Sequence, residues 1–523
     1  MKSRLWKLVP LLIIVVFVIF VRVRLADFPL ERDEGEYGYF GQLILQGVPP
    51  YALAYNMKFP GTYFIYAVIM AIFGQTAQGI HFGVLLTNIA SIVLLFLIGR
   101  KLVNYMVGII AGATYAALSL SYSVLGSAGH ATHFVNLFAL GGFLCLLEAF
   151  SSDKKRFYLI SGILFALAIL MKQSGVFFAA FAASAIIFKD FVQKPGRTKE
   201  SFMRLAVFSA GFLTPIFFTL SFLCMTGVYE RFYFWAFTYL SHYVAQVPLR
   251  YAIEIFKNNT ISAISGFYII WLSAAMGLLA VFFNKSLKEN RFLIISFLIF
   301  SFLSICPGLI FRPHYYITLL PAISLLAGIF FYTLASLIKA EHIAIGLFAV
   351  SLFLGIQSQK KYLFVKDTAT LCKWIYGINP FVESPEIAKF IDSRTKPEDT
   401  VAILGSEPQI FFYSNRRSAT GYIHTYSLME YQPYSLQMQK EMIREIELKE
   451  PKIIVDVRVY FSWLVAEHSE LYIFHWAEKY IPMHYNLVGV IDILSDGSIY
   501  KWGDAAKNYT PTCPNYILVY ERR

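Results

Sequence analysis

Four acids stand close together at Glu31, Asp33, Glu34 and Glu36, directly after the first long apolar run of the chain. Carboxylates held where a chain leaves a membrane can accept protons. Lys58 follows in a Lys-Phe-Pro-Gly turn that ends at Gly61, and a lysine beside a bilayer can hold a phosphate. Together these residue types suggest chemistry on a lipid-borne phosphate ester at the membrane surface. Asp33 and Glu34 begin an expected amphipathic helix, whose N-terminus favours a carboxylate. They are the candidates for taking the proton of an attacking hydroxyl, whereas Glu31 and Glu36 read as solvated loop acids. The Pro60-Gly61 turn would fix the Lys58 ammonium where it stabilises the charge of a departing phosphate.

Further cations extend this set. Lys172 interrupts an apolar run from Phe157 to Phe188, and an ionisable residue at membrane depth is a functional candidate by default. Arg312-Pro313-His314-Tyr315-Tyr316 stands at the outer end of a late apolar segment. It offers Arg312 and His314 to the same phosphate, or serves as an interfacial anchor belt. His130 and His133 share a short outer loop and could ligate a metal or face an acceptor. Two histidines without a third ligand nearby are a weak metal site and read more readily as polar loop residues, so no cofactor is certain, although a divalent cation is compatible with these types.

These residues need membrane elements to position them. The 523-residue chain is 57% hydrophobic and only 15% charged, with a mean hydropathy of +0.57, where soluble domains carry about 25% charge. Apolar runs of about 20 residues recur, enough for about eleven spans. Lys2, Arg4 and Lys7 before the first run place the N-terminus in the cytoplasm by the positive-inside rule. With no small-x-small cleavage site, the segment from Met1 to Ala26 reads as a retained anchor. The 22–78 segment then lies outside as a large first loop, with amphipathic stretches at Tyr37–Leu45 and Thr62–Phe73 expected to lie in the interface. Two short helices meeting near the outer surface would account for the Lys172 break, with Lys189, Lys194, Arg197 and Lys199 back inside. Later spans are expected near Ile261–Phe283, Phe292–Phe311, Tyr315–Ile338 and His342–Leu354.

The membrane region occupies 1–359 and a polar region 360–523. In the latter, Thr400–Leu404, Lys452–Val457, Asn486–Leu494 and Asn515–Val519 read as strands, and Pro385–Ser393 and Leu428–Glu450 as helices. This predicts an extracytoplasmic α/β domain without a nucleotide-binding glycine pattern. Cys372 and Cys513 could pair there in an oxidising compartment. The net charge of +12 sits largely in short loops as an orientation signal, and no basic stripe with interleaved aromatics suggests nucleic acid.

In order along the chain, Glu34-Gly35-Glu36-Tyr37, Gly47 to Tyr51, Asn56 to Gly61, Lys172-Gln173 and the Arg312–Tyr316 run resemble the C-type membrane glycosyltransferases. The likeness is to the protein O-mannosyltransferase and lipid A aminoarabinose transferase branch. It implies the C-type fold, a polyprenyl-phosphate sugar donor (hexosyl or pentosyl), and inverting transfer at the extracytoplasmic face of a bacterial inner membrane. The implied acceptor is a glycan, lipid or protein. By this resemblance Asp33 is the base, Glu34 assists or orients it, Lys58 contacts the donor phosphate, and Arg312 with His314 lies near it. The chain departs from the pattern where relatives often carry an acid in the second outer loop, having His130 and His133 instead. Two other functions fit the composition: a transporter or flippase of a lipid-linked sugar, for which no internal repeat is apparent, and an oligosaccharyltransferase, for which the tail has no Trp-Trp-Asp-like triplet.

Overall fold

A computed structural model describes residues 9–189, 198–364, 367–494 and 497–523. Lys2, Arg4, Lys7, Lys194 and Arg197 lie outside the described residues. The longer helices of the membrane region are α1 (Val9–Arg24), α2 (Arg32–Leu45), α3 (Gly61–Phe73), α4 (Ala77–Leu102), α5 (Tyr105–Leu118), α6 (Ala131–Ser152) and α7 (Lys155–Met171). They continue as α8 (Val176–Ile187), α9 (Thr198–Met225), α10 (Leu249–Ile264), α11 (Tyr268–Phe283), α12 (Arg291–Leu303), α13 (Leu320–Ile338) and α14 (Glu341–Ser358). Among the described residues five helices are long and apolar enough to cross a membrane, or six if α10 and α11 form one bent span. The chain is a multi-pass membrane protein.

The elements differ from expectation where tertiary packing outweighs local pattern. The run expected as one span from Ile261 to Phe283 bends by 110° between α10 and α11, at Gly266 with a φ of +84°. The apolar run from Phe157 to Phe188 breaks as expected, into α7 and α8 on either side of Lys172. The amphipathic stretches do form helices, and α2 is packed inside the protein rather than laid on its surface. Ten of the 14 residues of α2 are buried, because it is wedged between the membrane helices and the C-terminal region.

In that region the six strands β1 (Thr400–Leu404), β2 (Arg417–Ser418), β3 (Ile453–Arg458), β4 (Tyr485–Leu494), β5 (Gly497–Trp502) and β6 (Tyr516–Arg522) make one mixed sheet. Their order is β2-β1-β3-β6-β4-β5, with β1 parallel to β2 and β3 and the other pairs antiparallel. The single helix expected from Leu428 to Glu450 is two, Tyr426–Met429 and Ser435–Lys449, separated at Pro433, which cannot donate in a helix interior. Cys372 and Cys513 are both free thiols, and Cys372 is buried.

Two local features set α2 in place. Glu31 caps it: the Glu34 amide donates to the Glu31 carboxylate at 2.9 Å, and the Glu31 amide to the Glu34 carboxylate at 3.4 Å. This reciprocal box satisfies two amides that a helix start leaves orphaned. Gly35 and Gly38, on one face by their spacing, then let the short helix α15 (Pro408–Ser414) approach. A Cβ on Gly35 would meet the Gln409 backbone nitrogen at 2.5 Å, and one on Gly38 the Phe412 ring at 2.8 Å.

An alanine at an exposed helical glycine gains roughly 1 kcal/mol. Gly35→Ala should instead destabilise the protein by roughly 1–3 kcal/mol, because the added methyl meets backbone that cannot yield. Thermal unfolding of the full chain in detergent measures this, and an unchanged or higher midpoint would contradict the packing described.

Candidate functional site

The N-terminal turn of α2 opens onto a cavity of about 530 Å³. Asp33, Lys58, His130, Lys172, Arg312 and His314 all line it, so residues scattered over 282 positions converge (33 to 314, inclusive). The Lys58 turn is held by the Tyr51 hydroxyl, which donates to the Lys58 carbonyl at 2.6 Å. Gln173, beside the Lys172 break, donates to the Met57 carbonyl at 2.7 Å. The break between α7 and α8 therefore places Lys172 next to the Lys58 turn.

Lys58 Nζ lies 2.8 Å from Asp33 Oδ1 and 3.5 Å from Glu36 Oε2, with the Tyr37 ring centre 4.5 Å away. The other Asp33 oxygen faces two imidazoles: His130 Nδ1 at 3.8 Å and His314 Nε2 at 3.9 Å. The two rings stack at 4.2 Å between centroids. Burial opposes the Asp33 charge, but Lys58, aided by His130 and His314, holds its carboxyl well below the usual range. Asp33 is thus ionised, and while Lys58 stays paired to it the carboxylate is a weak base.

Lys172 and Arg312 are placed differently. Lys172 sits over the Tyr315 ring at 3.5 Å, and among the described residues neither cation has an ion-pair partner. Two basic side chains without counter-anions in one cavity could hold an anion.

The acids dismissed as solvated are not. Glu36 is fully buried and accepts from the Tyr63 hydroxyl at 3.2 Å, and burial pushes it up to about 7 against the pull of Lys58. Glu31 is buried too, and burial, then the charge of Asp33, pushes it to about 7. The Glu-x-x-Glu spacing of Glu31 and Glu34 was the available sign that Glu31 is a cap.

Glu34 does not line the cavity. Its Oε1 accepts from the Gly129 amide at 2.5 Å and lies 3.1 Å from His81 Nε2, which ties α2 to the loop before α6 and to α4. His133 is fully buried and outside the cavity lining, so the structure separates it from His130. Asn379, Phe381, His424 and Tyr426 of the C-terminal region also line the cavity; no local sequence signal points to them.

Asp33, His130 and His314 each present one ligand atom, all within 4.8 Å of one another. One carboxylate and two imidazoles suit a divalent transition metal, and both His130 ring nitrogens lack a hydrogen-bond partner. The two further ligands that the His130 loop lacks locally come from Asp33 and from the late His314.

The family model of dolichyl-phosphate-mannose-protein mannosyltransferases matches residues 57–218. No curated protein matches by sequence. Among solved structures, the chain is similar to apo ArnT from Cupriavidus metallidurans, with 12% identity and a TM-score of 0.61 over 99% of this chain and 98% of that one. ArnT bound to undecaprenyl phosphate gives a TM-score of 0.57 at 12% identity, over 98% and 97%. The Archaeoglobus fulgidus oligosaccharyltransferase tethered with an acceptor peptide gives 0.53 at 12% identity, over 97% of this chain and 75% of that one. The fold is that of the C-type membrane glycosyltransferases, and the family-model match supports the same class.

Glu36 supplies a test of the site's electrostatics. Its folded pKa lies above the ordinary 4.5, so its protonated form is favoured in the fold. The resulting stabilisation is complete below the ordinary value and lost as pH rises through about 7, a difference of about 3 kcal/mol. Glu36→Gln should therefore lose less thermal stability than the native chain between pH 5 and pH 8. Equal losses in the two proteins would contradict the burial argument.

Proposed function

We propose that the protein transfers a glycosyl group from a polyprenyl-phosphate donor to an acceptor at the extracytoplasmic membrane face, by direct displacement with inversion. The observation that carries this is the pairing, in one cavity, of an ionised carboxylate with two unpaired cations. A polyprenyl-phosphate sugar is a phosphodiester bearing one negative charge, and its lipid leaving group is a phosphate monoester that gains a second. Cations on that phosphate therefore bind the transition state more tightly than the substrate, which is the condition for accelerating the step. Lys172 and Arg312 would take the phosphate. ArnT, whose fold this chain shares, has been seen with undecaprenyl phosphate bound.

Lys58 links the two halves. While paired to Asp33 it keeps that carboxylate a weak base. A donor phosphate offers Lys58 a second anion, and as the ammonium shares its charge with the phosphate, Asp33 regains basicity. Asp33 would then accept the acceptor's proton as the acceptor attacks the anomeric carbon and the carbon–oxygen bond to phosphate breaks. Glu34 would orient the helix turn through Gly129. Asp33, His130 and His314 could hold a divalent cation, which when bound would supply Lewis-acid charge beside the base.

In membranes containing the full chain and radiolabelled undecaprenyl-phosphate hexose, Asp33→Asn should lower label transfer by roughly 10³-fold or more, with folding intact. Transfer at the native rate by that variant would remove Asp33 as the base. Lipid translocation without any glycosidic product would instead favour a flippase.

A further inference from the structure

Arg32 immediately precedes Asp33, and all the hydrogen bonds its side chain makes among the described residues go to the C-terminal region. Its Nη2 lies 2.6 Å from Glu407 Oε1 and donates to Asn379 Oδ1 at 3.1 Å, while Nε donates to the Ser406 carbonyl. The guanidinium also rests near the Phe381 and Tyr426 rings, at 5.3 and 5.5 Å from their centroids. Glu407 is fully buried, and its second oxygen accepts from Gln409 Nε2 at 2.6 Å.

The seat itself is fixed by the sheet. Glu407 follows the end of β1, and the adjoining Ser406 amide donates to Ser462 Oγ at 2.8 Å. Ser406 Oγ meets Thr425 Oγ1 at 3.0 Å. The first turn of α2 is thus gripped from two sides: Glu34 is tied to the membrane helices through Gly129, and Arg32 to the sheet through Glu407. Asp33 is the residue between them.

We propose that the C-terminal region is part of the catalytic apparatus, with Glu407 a positioning residue that sets the Asp33 carboxylate in the cavity through its ion pair with Arg32. This rests on Asp33 being the base. Removing the Glu407 charge leaves a buried guanidinium without its counter-ion. Arg32 must then shift to find other partners, and because Asp33 is the next residue that shift would twist the turn that carries it. A displacement of about 1 Å at a reacting group costs about 10²-fold in rate.

The test uses the full chain in detergent, with radiolabelled undecaprenyl-phosphate hexose for turnover and undecaprenyl phosphate for binding. Glu407→Gln should lower kcat by about 30- to 100-fold, with donor KM and undecaprenyl-phosphate affinity within about threefold of native. Glu407→Asp, which keeps the charge, should recover part of that loss. Hydrogen exchange of the Asp33–Glu36 amides should quicken by about tenfold or more in Glu407→Gln, a readout independent of turnover. Native kcat, or unchanged exchange in that turn, would overturn the proposal. So would loss of phosphate affinity in step with kcat, since that marks a general structural prop. If Glu407→Gln does not fold, Arg32→Lys, which keeps the charge and loses the fork, carries the same test. Native transfer by Asp33→Asn would refute the base assignment separately, while the exchange measurement would still decide whether Glu407 orders the turn.

Discussion

Four carboxylates crowd the start of one buried helix, and their neutralisation is the constraint around which the rest of the structure is arranged. An unpaired buried charge is too costly to keep, so each acid is answered differently. Glu31 becomes a helix cap, Asp33 pairs with Lys58, Glu34 takes an amide and an imidazole, and Glu36 takes a tyrosine hydroxyl and shares Lys58. Arg32, in their midst, is paired outward to Glu407. The partners of the acids come from the first loop, α4 and the loop before α6, and that of Arg32 from the C-terminal region, so satisfying this charged turn also joins the two regions.

The arrangement leaves a division of charge with chemical meaning. Lys58 is committed to the acids, whereas Lys172 and Arg312 face the cavity unpaired. A bound phosphate would complete them. Asp33 is the one acid of the four whose carboxylate combines a strong cationic partner with two imidazoles. That separates it from Glu31 and Glu36, whose burial favours the protonated form.

Much of the site was legible in the sequence because its residues break strong patterns. Lys172 in an apolar run, Lys58 in a proline-glycine turn, and Arg312 with His314 at the end of a span each conflict with the membrane signal, and all reach one cavity. Strands β1, β3, β4 and β6 were legible as short runs rich in β-branched residues. What could not be read depends on long-range packing. Glu31 and Glu36 look like surface acids until α15 and the membrane helices close over α2. His130 and His133 look equivalent three residues apart, yet one turn of α6 puts the first in the cavity and the second outside it. The Arg32–Glu407 pair joins residues 375 positions apart, with no local signal in either.

Lys172 and Arg312 are the proposed seat of the lipid phosphate. Equilibrium binding of undecaprenyl phosphate to the full chain, native against the Lys172→Ala/Arg312→Ala double variant, tests this. Native binding weakened by about 100-fold or more in the variant is the expected result, since each lost charge-assisted contact is worth about 1.5–3 kcal/mol. Equal affinity in the two proteins, both folded, would contradict the account.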